Sequence, residues 1–523
     1  MPDKISLTRR QAAAASLGLS AAAFAAPGRA RAASPDTSLP PNQTPAAPIP
    51  PGQIEAAIKQ LGALTDAILH KSGIPGIAVA AVHDGKTVYA NGFGKRRIGA
   101  PEMIDADTVF QLASISKPIS ATLVAQQIGR GGIAWNMPVI QHLPWFALND
   151  PWVTSHVTLG DMFAHRSGLP DHAGDDLEDL GYSRAQILQR LRYLPLHSFR
   201  DSYAYTNFGL TAAAEALAHA AGSDWASLAE TDLYQPLGMA STSSRFEDFM
   251  RRSNRASGHV KSGGFYQAKY QRQPDAQSPA GGVSSSVRDM ARWMLMVLQS
   301  GSSDGKQILD AAALLPAVSA EVISAPSHAM SARPELYGYG FNVGSQPNGR
   351  VSLSHSGAFA LGAGTSFMLI PSLGLGVIAL TNAAPCGAAE ALTASFADLV
   401  QFGSISRDWY AGYSGLLAGL MAPVGELAGK SPPANPAPAA ALQSYAGVYD
   451  NDYYGPAEII LRDAALAMKL GPRGSVCVDA LERRDVRLYA NRRKCARRLA
   501  RSRYVHRKSH CPYQRILRRK RGE

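Results

Sequence analysis

Apolar residues recur at helical spacing across residues 54–71, where Ile54, Ala57, Ile58, Leu61, Leu64 and Ile68 share a face and Gly73 and Pro75 end the run. The spacing predicts an amphipathic first helix. Two β-rich runs follow, 76–83 and 86–93, separated by Asp84-Gly85, a dipeptide suited to a tight hairpin turn. Short strand patterns return at 337–343, 351–356, 365–370 and 375–381, divided by turns such as Pro347-Asn348-Gly349 and Pro371-Ser372-Leu373-Gly374. Between these groups, from about residue 110 to about 330, helical periodicity dominates, as in 184–194, 210–221 and 287–299. A closing helix is expected over 388–400. The predicted fold class is α/β: an antiparallel sheet flanked by helices, its strands drawn from both ends of one discontinuous domain, with an all-helical region inserted.

The flanks read differently. Thr8-Arg9-Arg10-Gln11, a mild apolar run from Ala12 to Ala26 and Ala30-Arg31-Ala32 before Ala33 have the order of an export signal of the twin-arginine type, so residues 1–32 are expected to be a leader and the mature protein periplasmic or secreted. A Pro-rich linker at 33–52 precedes the main domain at 53–400. Residues 401–440 read as a second linker, with four prolines in 431–438, and 441–474 as the start of a small β-domain. From about residue 475 the sustained apolar period stops, leaving an incomplete C-terminal β segment followed by a basic tail at 475–523. Two explanations stand for that tail: a change of reading frame, since out-of-frame translation of a GC-rich gene is arginine-dense, or a genuine basic arm.

Charge sharpens this division. The net charge of +12 would suit a nucleic-acid partner if it were spread over the fold, but residues 481–523 hold 17 Lys and Arg against 3 Asp and Glu, whereas the preceding 480 residues hold 35 against 37. No nucleic-acid partner is therefore expected. After residue 26 no apolar run reaches the length of about 18–20 residues that a membrane span needs. Three of the four cysteines (Cys477, Cys495, Cys511) lie in or beside the tail and Cys386 stands alone in the body, so neither a disulfide framework nor a zinc site is expected.

The candidate chemistry is nucleophilic. Ser-x-x-Lys on a helix places a serine and its base one turn apart on one face. Ser114-Ile115-Ser116-Lys117 has this spacing, and so does Ser303-Asp304-Gly305-Lys306, which also fits Gly-x-Ser-x-Gly at Gly301 to Gly305. The latter elbow requires a strand before it and a helix after it. Ser303 instead follows a helical run and lies in a polar, glycine-broken loop, which reads as a surface turn. Ser114 follows the apolar approach Val109 to Ala113 and opens a buried-type helix, where free amides favour negative charge on an attacked carbonyl. Lys117 must be buried for its pKa to fall from about 10.4 far enough to accept a proton near neutrality. Tyr203-Ala204-Tyr205-Thr206-Asn207 offers Tyr205 as a proton relay and Asn207 as an orienter of lysine or substrate. Leu353 to Ala358 offers a strand whose Gly357 allows close approach of a substrate backbone and whose Ala358 amide is a candidate oxyanion donor.

Taken in that order and at those separations, Ser114-x-x-Lys117, Tyr205-x-Asn207 and His355-Ser356-Gly357 resemble the penicillin-recognising serine hydrolases, specifically the branch of class C β-lactamases, D-alanyl-D-alanine carboxypeptidases, D-aminopeptidases and β-lactamase-like esterases. Further segments match that branch over about residues 53–400: Val157 to Met162 with His165 to Pro170, Pro236-Leu237-Gly238-Met239, Pro279 to Val283, and Tyr337-Gly338-Tyr339-Gly340. The resemblance implies an acyl-enzyme on Ser114, Lys117 as base, Tyr205 as relay, and substrate or oxyanion contacts at Asn207, His355, Ser356, Gly357 and Ala358, with no metal or organic cofactor. It also implies a small-molecule or short-peptide substrate: an ester or a small D-amino-acid amide or peptide first, a β-lactam second, with a binding protein that acylates without turnover as the non-enzymatic alternative. His355 departs from the lysine of the Lys-Thr-Gly form. A neutral histidine is a weaker, pH-dependent anchor for a substrate carboxylate, which lowers the expectation of efficient penicillin hydrolysis. His165 is expected to be structural. Oligomeric state is left open.

Overall fold

A computed structural model describes residues 48–421, 441–462, 465–473, 475–480 and 486–488. The leader at 1–32, most of the 33–52 linker, part of the 401–440 linker and the end of the basic tail lie outside the described residues. Helix α1 (Gln53–Ser72) buries Ala57, Leu61, Thr65 and Ile68 along one stripe and ends at Gly73, whose φ of 65° suits a residue without Cβ. Strands β1 (Gly76–His83) and β2 (Lys86–Gly94) form the expected hairpin, with Asp84 and Gly85 at φ 48° and 74°.

The chain returns to this sheet with β3 (Val322–Ala325), β4 (Glu335–Tyr337), β5 (Asn342–Ser345), β6 (Val351–Phe359), β7 (Ala363–Ile370) and β8 (Leu375–Thr381). The order is β2-β1-β8-β7-β6-β5-β4-β3, with every pairing antiparallel. First and last strands of the domain are thus neighbours, with Ala80 opposite Ile378. β1 and β8 are buried on both faces, which explains their continuous apolar character. One side of the sheet carries α1 and α5 (Ala388–Phe402), packed around Leu61, Ile77, Val377, Leu392 and Phe396. The other side carries α4 (Val287–Leu298) and the inserted helical region, including α2 (Ser116–Gly129) and α3 (Asn207–Ala220). Each fully buried Leu or Phe in these layers contributes about 1.5–3 kcal/mol relative to exposure.

Three boundaries differ from the sequence pattern. The single strand expected at 337–343 is two strands, because Gly340 takes φ 80° and the chain reverses between Tyr337 and Asn342; a Cβ there would lie 2.8 Å from the Lys117 carbonyl oxygen. Ordered structure continues into the linker expected at 401–440: α6 (Trp409–Ala418) follows α5, and Trp409 Nε1 and the Ser406 hydroxyl both donate to Asp398. The small C-terminal sheet runs past residue 475, as the meander β9 (Gly447–Tyr449), β10 (Ala457–Arg462), β11 (Ala465–Leu470), β12 (Ser475–Ala480) and β13 (Val486–Leu488). β12 adds by main-chain pairing to the open edge of β11, and β13 to that of β12, which needs no sustained apolar period. Tyr445, Tyr453, Tyr454, Ile459, Leu466, Met468 and Leu470 join the same core as the helical region.

Candidate active site

Ser114 lies in one turn of 3₁₀ helix (Ala113–Ile115) that runs into α2. Its predecessor Ala113 is buried at φ 49°, a conformation that costs an L-residue about 1–3 kcal/mol and holds only where surrounding contacts over-determine it. Those contacts are present. Leu112 N donates to Val283 O at 2.9 Å, Thr365 Oγ1 donates to Leu112 O at 2.8 Å, and Ser116 Oγ both accepts from Val283 N (3.0 Å) and donates to Ala113 O (2.7 Å). The serine turn is therefore fixed to the sheet and to the Pro279 to Val283 segment at once.

Lys117 is fully buried in the first turn of α2. Its Nζ donates to Ser114 Oγ at 3.2 Å, to Asn207 Oδ1 at 2.7 Å and to Ala280 O at 3.0 Å. Burial lowers its pKa to about 7, against the opposing pull of the Asp175 carboxylate. A neutral fraction is thus present near neutrality, with Nζ already set against the Ser114 hydroxyl. The Tyr205 ring lies 4.5 Å from Nζ, and its hydroxyl shares a hydrogen bond with the Ser114 hydroxyl. Burial pushes the phenol well above 10, so Tyr205 is a neutral group able to pass a proton.

Asn207, the first residue of α3, joins this pair to a carboxylate. Its Nδ2 donates to Asp175 Oδ1 and Oδ2 at 3.1 and 2.9 Å, and His172 Nδ1 lies 2.8 Å from Asp175 Oδ2. Burial disfavours the His172 imidazolium, but the bond to Asp175 and the nearby carboxylates outweigh it and raise its pKa. The same turn holds Tyr205 by its backbone, since His172 N donates to Tyr205 O at 2.7 Å and the Asp171 carboxylate accepts from Tyr205 N. Sequence reasoning missed Asp171, His172 and Asp175; the signal available was the acidic run Asp171-His172-Ala173-Gly174-Asp175-Asp176 directly after Pro170.

On β6, Gly357 meets the serine turn. A Cβ there would lie 2.3 Å from Leu112 O and Thr365 Oγ1 and 3.1 Å from Ser114 N, so only glycine brings the strand this close. Ala358 follows it, half-buried. His355 differs from the expected anchor. Its ring is buried, Nδ1 donates to Ser356 O at 2.7 Å and Nε2 accepts from the Tyr337 hydroxyl at 3.0 Å. Burial, aided by the charge of Lys117, pushes its pKa down to about 3. Both nitrogens are engaged within the protein, and the neutral ring orients Tyr337 without presenting a titrating charge to a substrate. Ser356 lies on the opposite side of the strand, as period-2 alternation requires, and its hydroxyl donates to the Glu390 carboxyl.

His165 takes φ 56° and packs among Tyr203, Tyr205 and Tyr337, with ring centroids 5.7, 4.6 and 5.2 Å away. Its Nδ1 accepts from Thr206 N at 3.2 Å and burial keeps it neutral, so it shapes the tyrosine wall. Ser303 sits in a short hairpin, Ser302–Ser303 with Lys306–Gln307, outside this constellation.

A serine beside a buried lysine and an adjoining tyrosine, set against an inner strand of an antiparallel sheet, can run acyl transfer. The Beta-lactamase family profile matches residues 54–401. The chain belongs to the β-lactamase family. Among relatives of this β-lactamase-family protein, the unguisins hydrolase ungD of Aspergillus violaceofuscus is 27% identical over 425 residues, covering 75% of this chain and 74% of that protein. The D-alanyl-D-alanine-carboxypeptidase/endopeptidase AmpH of Escherichia coli K12 is 24% identical over 344 residues, covering 64% and 86%. Esterase EstB of Burkholderia gladioli is 30% identical over 200 residues, covering 34% and 50%. In three dimensions the chain resembles the octameric penicillin-binding protein homologue from Pyrococcus abyssi, with a TM-score of 0.58 at 18% identity over 80% of this chain and 90% of that one, a likeness of fold. The protein is a serine hydrolase of the β-lactamase fold. Among the described residues no helix is long and apolar enough to cross a membrane.

Proposed function

We propose that this protein is an exported hydrolase that forms an acyl-enzyme on Ser114 and cleaves esters or small D-amino-acid amides and peptides. The carrying observation is the buried Lys117 Nζ, 3.2 Å from Ser114 Oγ with its pKa near 7. In the first step Nζ takes the Ser114 proton as Oγ bonds to the substrate carbonyl, and the amides of Ser114 and Ala358 receive the developing oxyanion. The carbonyl re-forms as the bond to the leaving group breaks, and Tyr205 hands that group a proton which Lys117 replaces. Water, deprotonated by the same lysine, then attacks the acyl carbon and Oγ departs with a proton. The neutral His355 supports the ester and amide reading over β-lactams, because it lacks the fixed cation that a lysine there gives a substrate carboxylate. Export to the periplasm belongs to the same proposal and rests on Thr8 to Ala33; N-terminal sequencing of the secreted protein is its check.

The test is hydrolysis of p-nitrophenyl butyrate and nitrocefin side by side, wild type against Ser114→Ala, with intact-mass detection of an acyl adduct. Ester turnover that falls to background in the variant, with little nitrocefin cleavage, is the expected result, a loss of at least about 10⁴-fold. Rapid nitrocefin turnover would instead make β-lactams the substrate. One equivalent of product followed by silence would mark a binding protein, and activity surviving in Ser114→Ala would remove the serine from its role.

A further inference from the structure

The turn that follows β9 grips the acidic turn beside the catalytic lysine. Asn451 Oδ1 accepts from the amides of Tyr453 and Tyr454 at 3.0 and 2.8 Å, which sets both rings, 8% and 5% exposed, against the helical region. The Tyr453 hydroxyl accepts from Gly174 N at 2.8 Å, and the Tyr454 hydroxyl donates to Asp176 Oδ2 at 3.2 Å. These two contacts fall on either side of Asp175, whose carboxylate holds Asn207. Gly174 has no slack to give: it stands at φ 95°, and a Cβ would lie 2.7 Å from Phe208 and 2.8 Å from Ile187. Tyr182 and Arg190 complete the contact by donating to the carbonyls of Tyr454 and Asp452 at 2.7 and 2.8 Å.

We infer that Tyr453 and Tyr454 are positioning residues for catalysis, through which the C-terminal sheet fixes Asp175 and, by way of Asn207, sets Lys117 against Ser114. The inference rests on Lys117 acting as base. Lys117 is faced by the Asp175 carboxylate beyond Asn207, the Tyr205 ring, the Ala280 carbonyl and the imidazoles of His165, His172 and His355. Among them, Asp175 is the group that opposes the effect of burial on the lysine. When the tyrosine hydroxyls are removed the acidic turn loosens, that opposition weakens, and the lysine loses its proton at lower pH.

The test measures kcat/KM for p-nitrophenyl butyrate against pH in the full chain, for wild type, Tyr453→Phe, Tyr454→Phe and the double variant. Lys469→Ala, which breaks only an exposed pair with Glu458 inside the C-terminal sheet, is the control. A lower plateau is expected, by about three- to tenfold for each lost hydrogen bond, together with an acidic limb displaced to lower pH. Lys469→Ala should keep both. A purely structural role would leave the limb where it is while the amount of active protein falls, and that result overturns the inference. If the double variant does not fold, each Tyr→Phe change is placed in an Asp175→Asn background, where it should move the limb no further; a further shift also overturns it. Labelling of Ser114 by a fluorophosphonate over the same pH series gives the same readout without turnover. A wrong substrate therefore appears as a labelled but silent wild type, distinct from an unmoved limb.

Discussion

Lys117 and Asp161 are both buried ionisable groups within the helical half of the molecule, yet their surroundings send them to opposite ends. Asp161 closes a capping box with Thr158 and receives Arg166 Nε at 2.9 Å and Arg200 Nη2 at 2.8 Å. Burial works against its charge, but the bonds from Arg200, Arg166 and Thr158 outweigh burial and hold its carboxyl below the usual range. Lys117 instead meets a hydroxyl, an amide oxygen and a carbonyl oxygen, and its carboxylate Asp175 stands behind Asn207. Direct ion pairing locks a charge in place, whereas an interposed amide supplies the hydrogen bond without the full Coulomb attraction. One arrangement suits a structural staple and the other a base.

The largest way to break this contrast is Asn207→Asp, which puts a carboxylate against Lys117. Its pKa then rises from about 7 toward the ordinary 10.5. With neutral Lys117 as the proposed base, activity at pH 7 should fall about a thousandfold and recover as pH rises, read from the acidic limb of kcat/KM. An unmoved limb would refute the insulating role of the amide. Next in size is Asp161→Asn, expected to cost about 2–4 kcal/mol in chemical denaturation because Arg166 and Arg200 lose their common anion. The folded-state pKa of Asp161 lies below the unfolded 3.8, so its stabilisation is present above about pH 4 and is lost as pH falls through the lowered value. The variant should lack that slope. The smallest effect belongs to Glu178, a buried carboxyl bound by Arg272 and Gln277 whose pKa burial nonetheless raises to about 7. Here the folded pKa exceeds the unfolded 4.5, so wild type loses stability as pH rises from 4.5 to about 7. Glu178→Gln should remove that slope and lie within about 1 kcal/mol of wild type above pH 7.

The parts of the site legible in the sequence are those carried by short spacing. Ser114 and Lys117 are one helical turn apart, Tyr205 and Asn207 enter one helix together, and Gly357 is a residue type that permits close approach. Asp175 and His172 were not legible, because an acidic run reads as a solvated surface until α3 is laid against it. His355 was legible as a neutral substitute for a cation. Its withdrawal into a bond with Tyr337 depends on two strands that flank β5.

The sequence by itself determined the discontinuous antiparallel sheet, the helical insertion and the one-turn spacing of Ser114 and Lys117, since apolar period and residue spacing act over a few residues and survive without tertiary contacts. Only the tertiary structure decided that Lys117 can lose its proton near neutrality, that an amide and not a carboxylate touches it, and that the C-terminal sheet reaches the same network. Burial and Coulomb interaction are sums over groups from Ser114 to Tyr454, which only the folded chain brings within a few ångströms of one another.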